Sequence, residues 1–215
     1  MVILLNICMI KYCYKLSKLP PILDTGLTLI NDHGVKPVDY SKTFYHRFET
    51  PAVFNQQLFD WLDSLNLCYI TAGYMYVPEN GSVLPHVDSR LFFNQQKFVD
   101  FCKINWRIGG PGSMAKWYDS LPGFELTSQD MLPESITTGN QTHTNFCLPV
   151  DINKFEVSFS MEHPEICLLN PGRLHSFDAG PYAQHIISVA VGIKNTSSVL
   201  RWNQGIKIFK NYIVH

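Results

Sequence analysis

Several features are missing from this chain, and each absence narrows what it can be. There is no surplus of positive charge: 17 Lys and Arg stand against 18 Asp and Glu, giving a net charge of −1 and a pI near 6.7. Binding a phosphate backbone needs a basic footprint, so nucleic acid is not expected as the main partner. The six cysteines, Cys8, Cys13, Cys68, Cys102, Cys147 and Cys167, include no Cys-x-x-Cys pair. Scattered thiols of this kind fit a reducing, cytoplasmic setting rather than a disulfide framework or a zinc site. No apolar run is long enough to cross a bilayer. The run Met1 to Ile10 is too short, and Lys11, Lys15 and Lys18 follow it instead of preceding it, so it reads as an opening β-strand rather than a signal or anchor. Internal repeats and low-complexity linkers are also lacking.

What is present describes one packed domain spanning 1–215. Of its 215 residues 46% are hydrophobic and 13% aromatic, which suits a globule with a substantial core. Phe54, Leu58, Trp61, Leu62 and Leu65 recur at helical spacing, with Thr50 as the expected N-cap and Pro51 at the first helical position. After Asn66 the pattern changes to short β runs over 69–77, 83–88, 99–108, 113–118, 155–161, 165–169, 174–177 and 185–193. Gly and Pro punctuate them throughout. Many short strands beside one helix predict a mainly β fold, a sandwich or barrel, and not a βαβ unit. The polar stretch from Leu121 to Asn153 is either a lid over the open end of a barrel or a surface excursion with an extra hairpin. The tail, Val199 to Trp202 and Ile206 to Phe209, reads as edge strands or docking surface, with Trp202 in the core.

His86-Val87-Asp88, with a distant His175, carries the chemistry. On an extended strand residues i and i+2 share a face, so His86 and Asp88 can grip one ion while Val87 points away. His175 follows the turn Asn170-Pro171-Gly172-Arg173 and completes the set. Two imidazoles and one carboxylate leave half of an octahedral sphere open, the arrangement that suits a non-haem Fe(II) reacting with O2. The other histidines, His33, His46, His143, His163 and His215, lack such surroundings and read as surface or structural.

The runs Tyr76-x-x-x-Asn80-Gly81-x-x-x-x-His86-x-Asp88, Ile104-Asn105-Trp106, Lys116-Trp117-Tyr118, Ile166 to His175 and Ile186 to Val191 resemble the Fe(II)/2-oxoglutarate-dependent dioxygenases over about 68–194. The likeness is to the prolyl-hydroxylase-like and aspartyl/asparaginyl-hydroxylase-like branches, small viral members included. It implies a double-stranded β-helix (a jelly-roll, cupin-like barrel) flanked by residues 1–66 and 195–215. It also implies Fe(II), 2-oxoglutarate as cosubstrate, O2, and ascorbate as an accessory. The substrate would be an amino-acid side chain, free or in a protein, or a small metabolite. By the same resemblance Tyr76, or Tyr74 on the same strand face, bonds the cosubstrate, and Asn105 serves the keto acid or the metal's surroundings. An Arg or Lys about ten residues after the distal histidine usually pairs with the far carboxylate of 2-oxoglutarate; here that position is His185. Three groups could stand in: a protonated His185 helped by Ser188, Lys116, or Arg107. The alternative is a barrel that keeps the fold but not the chemistry, acting as a ligand-binding or interaction module.

Overall fold

A computed structural model describes residues 12–17, 19, 37, 39–48, 54–88, 100–125, 127, 130–138, 141–196 and 198–214, with 132–138 and 141–147 described by their backbone alone. Its strands are β1 (Cys13–Lys15), β2 (Phe44–Phe48), β3 (Leu67–Val77), β4 (Ser82–His86), β5 (Lys103–Gly109), β6 (Met114–Ser120), β7 (Met131–Thr138), β8 (Gln141–Pro149), β9 (Phe155–Glu162), β10 (Ile166–Leu169), β11 (His175–Asp178) and β12 (Gln184–Ile193). Among the described residues two α-helices, α1 (Gln56–Ser64) and α2 (Trp202–Phe209), flank them. The fold is mainly β, a double-stranded β-helix with a flanking N-terminal helix. A six-stranded sheet runs β1-β10-β5-β12-β3-β2 and faces a four-stranded sheet ordered β4-β11-β6-β9. All the paired strands are antiparallel.

The eight predicted strands each have a counterpart, with ends moved by a few residues. Other expectations need correction. Helix α1 starts at Gln56, capped by the Asn55 side chain accepting from the Gln57 N–H; Thr50 and Pro51, the expected cap and first turn, lie outside the described residues, as does Met1–Ile10. The tail is not a pair of edge strands: its second half is α2, which buries Trp202, Gly205 and Phe209. That spacing places all three on one helical face. Trp202 lies in the core, as expected. The stretch 121–153 contains the β7–β8 hairpin, a separate two-stranded sheet.

The two faces of the large sheet differ in what covers them. Its outer face carries Tyr74, Tyr76, Ile104, Trp106, Ile187, Val189 and Val191, which pack with α1 and α2 into the main core. Its inner face looks across at the smaller sheet and lines a cavity. Removing apolar area from water at roughly 25 cal/mol per Å² makes the outer layer the main source of stability, and so leaves the inner face open to polar residues. The turn that sets β4 against the barrel is closed by Asn80, whose φ of 55° is left-handed, and by the Gly81 N–H donating to Pro78 O at 2.9 Å.

Candidate metal centre

His86 ends β4, and its neighbour across the ladder is His175, the first residue of β11. Beyond His86 the chain leaves the ladder, yet the alternation of faces persists for two more residues. Val87 is buried with Met131 and Leu174, while Asp88 turns inward and its N–H donates to Pro171 O at 2.9 Å. That bond ties the His-x-Asp segment to the Pro-Gly turn that precedes His175. The turn is itself braced: Gly172 N–H donates to Asn170 Oδ1, and Asn170 Nδ2 and the Arg173 guanidinium both donate to Asp100.

His86, Asp88 and His175 present ligand atoms that all lie within 4.8 Å of one another, and His86 Nε2 is 3.3 Å from Asp88 Oδ1. Two donors about 2.1 Å from one ion and at right angles to each other stand about 3 Å apart, so the spacing suits a shared metal. The tautomers suit it too. His86 Nδ1 is 2.7 Å from Leu84 O, and His175 Nδ1 is 2.8 Å from Arg173 O. A ring nitrogen beside a carbonyl carries a proton, which makes Nε2 the ligand atom of each ring. Burial, joined by the nearby His86, pushes the His175 pKa down to about 3, so the ring is neutral at ordinary pH. Trp117 stacks on the His175 ring at 6.2 Å between centroids and fixes its plane.

Asp88 shows what is unfinished. Burial alone would raise its pKa, but the Lys103 ammonium and then His86 hold it well below the ordinary carboxylate range. Lys103 Nζ donates to Oδ2 at 2.6 Å. Oδ1 is buried and accepts no hydrogen bond. Leaving a buried carboxylate oxygen unmatched is costly, and a cation between the two Nε2 atoms would satisfy it. The residues therefore fit a divalent metal held by two nitrogens and one oxygen.

The cavity in front of this triad has a volume of about 410 Å³. Asn105 and Ser188, both expected near the cosubstrate, line it and are direct partners in the β5–β12 ladder. Five other candidates lie elsewhere. Tyr76 and His185 are on the outer face of the sheet, where Tyr76 donates to Tyr40 O and His185 Nδ1 is 2.8 Å from the Tyr74 hydroxyl; burial lowers the His185 pKa, which opposes the protonated form. Tyr74 shares that face. Lys116 points out of the smaller sheet to Asp178, 2.6 Å away. Arg107 is buried but spends its donors on His163 O, Gly110 O and Gln184 Oε1. These placements correct the expectation that His185, Lys116 or Arg107 meets the far carboxylate of 2-oxoglutarate, since none of the three lines the cavity.

Two residues that the sequence reading did not single out take their place. Lys103 is two positions before Asn105 on β5, hence on the same face, and Arg47 comes from β2; both line the cavity. Tyr45, also on β2, lies across Gly73, where an added Cβ would collide with its phenol ring.

No protein-family model matches the chain, and no curated protein matches it in sequence. Solved structures do show likeness. Over 73% of its length the chain is similar to E. coli ycfD, with 20% identity and a TM-score of 0.35. It is similar to oxalate oxidase over 78% of its length, with 9% identity and a TM-score of 0.30. Peruvianin-I, a cysteine peptidase from Thevetia peruviana latex, matches over 89% at 12% identity and a TM-score of 0.34. The chain spans 35% of ycfD, 60% of that oxalate oxidase and 97% of Peruvianin-I. At such scores the likeness adds nothing to the site, whose reading rests on its own geometry.

Proposed function

We propose that the protein is an Fe(II)- and 2-oxoglutarate-dependent dioxygenase that hydroxylates a C–H bond of an amino-acid side chain, free or in a protein, or of a small metabolite. The observation that carries this reading is the grouping of two imidazoles with the unmatched Asp88 Oδ1, their ligand atoms within 4.8 Å of one another, because two histidines and one carboxylate on one side of an ion leave positions for cosubstrate and O2. When bound, iron with 2-oxoglutarate and O2 supplies the oxidation, giving hydroxylated substrate, succinate and CO2.

The chain's own part is to hold and to orient. Leu84 O and Arg173 O keep both imidazoles in the ligating tautomer. Lys103 anchors Asp88 through Oδ2, so that Oδ1 faces the ion, and its ammonium is the nearest cation for a carboxylate of the oxoacid. Ser188 and Asn105 offer further polar groups on the same wall, while Met75, Phe177 and Ile186 supply an apolar lining that limits water. The free buried thiols of Cys13, Cys102 and Cys167 support a reducing compartment, the cytoplasm. Among the described residues no helix is long and apolar enough to cross a membrane.

A second reading, a ligand-binding barrel without chemistry, draws on Lys103, which already balances the charge of Asp88 without a metal. Anaerobic addition of Fe(II) and then 2-oxoglutarate separates the two. The dioxygenase gives a weak metal-to-cosubstrate charge-transfer band, and on admitting O2 with ascorbate it forms succinate, which Asp88→Ala does not. Absence of both band and succinate from the parent protein would leave the binding module.

A further inference from the structure

The inner wall of the large sheet contains a row of side chains that the metal site does not use. Arg47 pairs with Gly73 across β2 and β3, Gly73 with Ser188 across β3 and β12, and Ser188 with Asn105 across β12 and β5. All four border the same cavity. Three strand spacings separate the Arg47 and Asn105 backbones, about 14 Å. Both residues border one cavity of about 410 Å³, which has room for a group of a few heavy atoms. Gly73, in the middle, brings no side chain of its own, and the Tyr45 phenol ring lies over it as the floor of the row.

Both ends of this row lack what they need. Arg47 forms no ion pair with any described residue; among the described residues Asp88 is the one acid that borders the cavity, and Lys103 already occupies it. Among the described lining residues two permanent cations stand against one carboxylate, a positive balance before any metal is added. Asn105 is 8% exposed, and its Oδ1 is buried with no hydrogen-bond partner. A buried amide is normally matched. Arg47 therefore wants an anion, and the Asn105 amide wants a hydrogen-bonding neighbour beside it.

We infer that Arg47 and Asn105 form a carboxylate-binding subsite, separate from the metal and from Lys103, and that the substrate is a carboxylic acid bearing a hydrogen-bonding group near its carboxylate. The inference rests on the dioxygenase reading for the assignment of that acid as the substrate. The guanidinium grips the carboxylate through parallel N–H bonds, and the amide meets the neighbouring donor or acceptor. Such an acid would be held at one end by β2 and β5 while its far end lies toward the triad.

The test uses the full chain loaded with Zn(II), a diamagnetic substitute, and saturated with 2-oxoglutarate. Acetate, small enough for any carboxylate subsite, is added at constant ionic strength while the 15N signals of the arginine Nε–H groups are followed. One arginine signal should shift and saturate. It should be missing from Arg47→Gln, and Asn105→Ala should weaken acetate binding about tenfold. Arg47→Lys, which keeps charge but loses the fork, should bind more weakly than the parent. No saturating shift, or one that persists in Arg47→Gln, overturns the subsite. A shift seen only without 2-oxoglutarate, together with loss of 2-oxoglutarate affinity in Arg47→Gln, overturns the substrate assignment and gives the carboxylate to the cosubstrate. If the parent binds no 2-oxoglutarate, the dioxygenase reading fails instead, and the acetate series run without it still reads the subsite.

Discussion

Ile187 and Ser188 are consecutive residues of β12 with opposite duties. Ile187 points outward and is buried against the core under α1 and α2, whereas Ser188 points into the cavity. Tyr74 and Gly73 repeat the contrast on β3: an aromatic ring fills the outer layer, and a bare backbone lines the inner one. One face of the sheet is filled to hold the fold. The other carries unmatched polar groups, Asn105 Oδ1 among them, whose cost the filled face offsets. A single step along a strand thus exchanges a stability residue for a ligand residue, because the side-chain period is two.

The contrast can be broken or sharpened by mutation. The largest expected effect is on the filled face: Ile187→Ala should cost about 3 kcal/mol of unfolding free energy, the usual range for a buried aliphatic truncation, with Fe(II) affinity nearly unchanged in the folded fraction. Urea denaturation and anaerobic metal titration read the two quantities. If Ile187→Ala weakens iron binding as much as it weakens the fold, the two faces are not separable. Next, Asp88→Ala or His175→Ala should lower Fe(II) affinity about a hundredfold by removing one of three donors; without metal, His175→Ala should change stability in urea little, whereas Asp88→Ala, which strands the Lys103 ammonium, should lower it. Unaltered affinity in either variant would remove that residue from the metal set.

Lys103→Met should come third. Removing one member of a buried pair strands the other, so the metal-free protein should lose about 2 kcal/mol, and saturating Mn(II) should restore most of it by taking over as the countercharge of Asp88. Equal loss with and without metal would show that Lys103 acts through packing alone. A smaller effect concerns pH. His175 is held to about 3 in the folded protein against an ordinary 6.5, so the unfolded chain binds the extra proton first and stability falls as pH drops below 6.5. With partial solvent access the loss between pH 6.5 and 5 should be on the order of 1 kcal/mol, read from thermal melts of the metal-free protein and diminished in His175→Gln. Least of all, His185→Ala and Tyr76→Phe should leave 2-oxoglutarate affinity within about twofold of the parent, in calorimetry under argon. A tenfold loss in either would place the cosubstrate on the outer face.

The fold was legible because it depends on composition and punctuation: short β runs closed by Gly and Pro leave few architectures open. The grouping His86, Asp88 and His175 was legible because i and i+2 share a face wherever the backbone is extended, even past the last ladder bond of β4. The cavity wall was not, since counting ten residues from His175 reaches His185, and only the register of β12 against β3 and β5 shows which parity looks inward. Lys103 was within reach: it has the parity of Asn105 on a strand the sequence predicts. Arg47 gave no signal, since Phe44–Phe48 mixes aromatic and basic residues and its burial is intermediate on both faces. In the tail, the β-branched Ile206 and Ile208 masked the helical spacing of Trp202, Gly205 and Phe209.

Among the described strands β2 is the last in its sheet and bonds to β3 alone. A terminal strand can change its residues without disturbing a second ladder, and here it bears Arg47 and the Tyr45 ring seated over Gly73. The triad hangs on β4 and β11, in the opposite sheet. Reactivity and choice of guest are therefore inherited through different parts of the chain, so a lineage could swap its preferred acid by drift along one peripheral ribbon while the ion-holding apparatus stayed fixed.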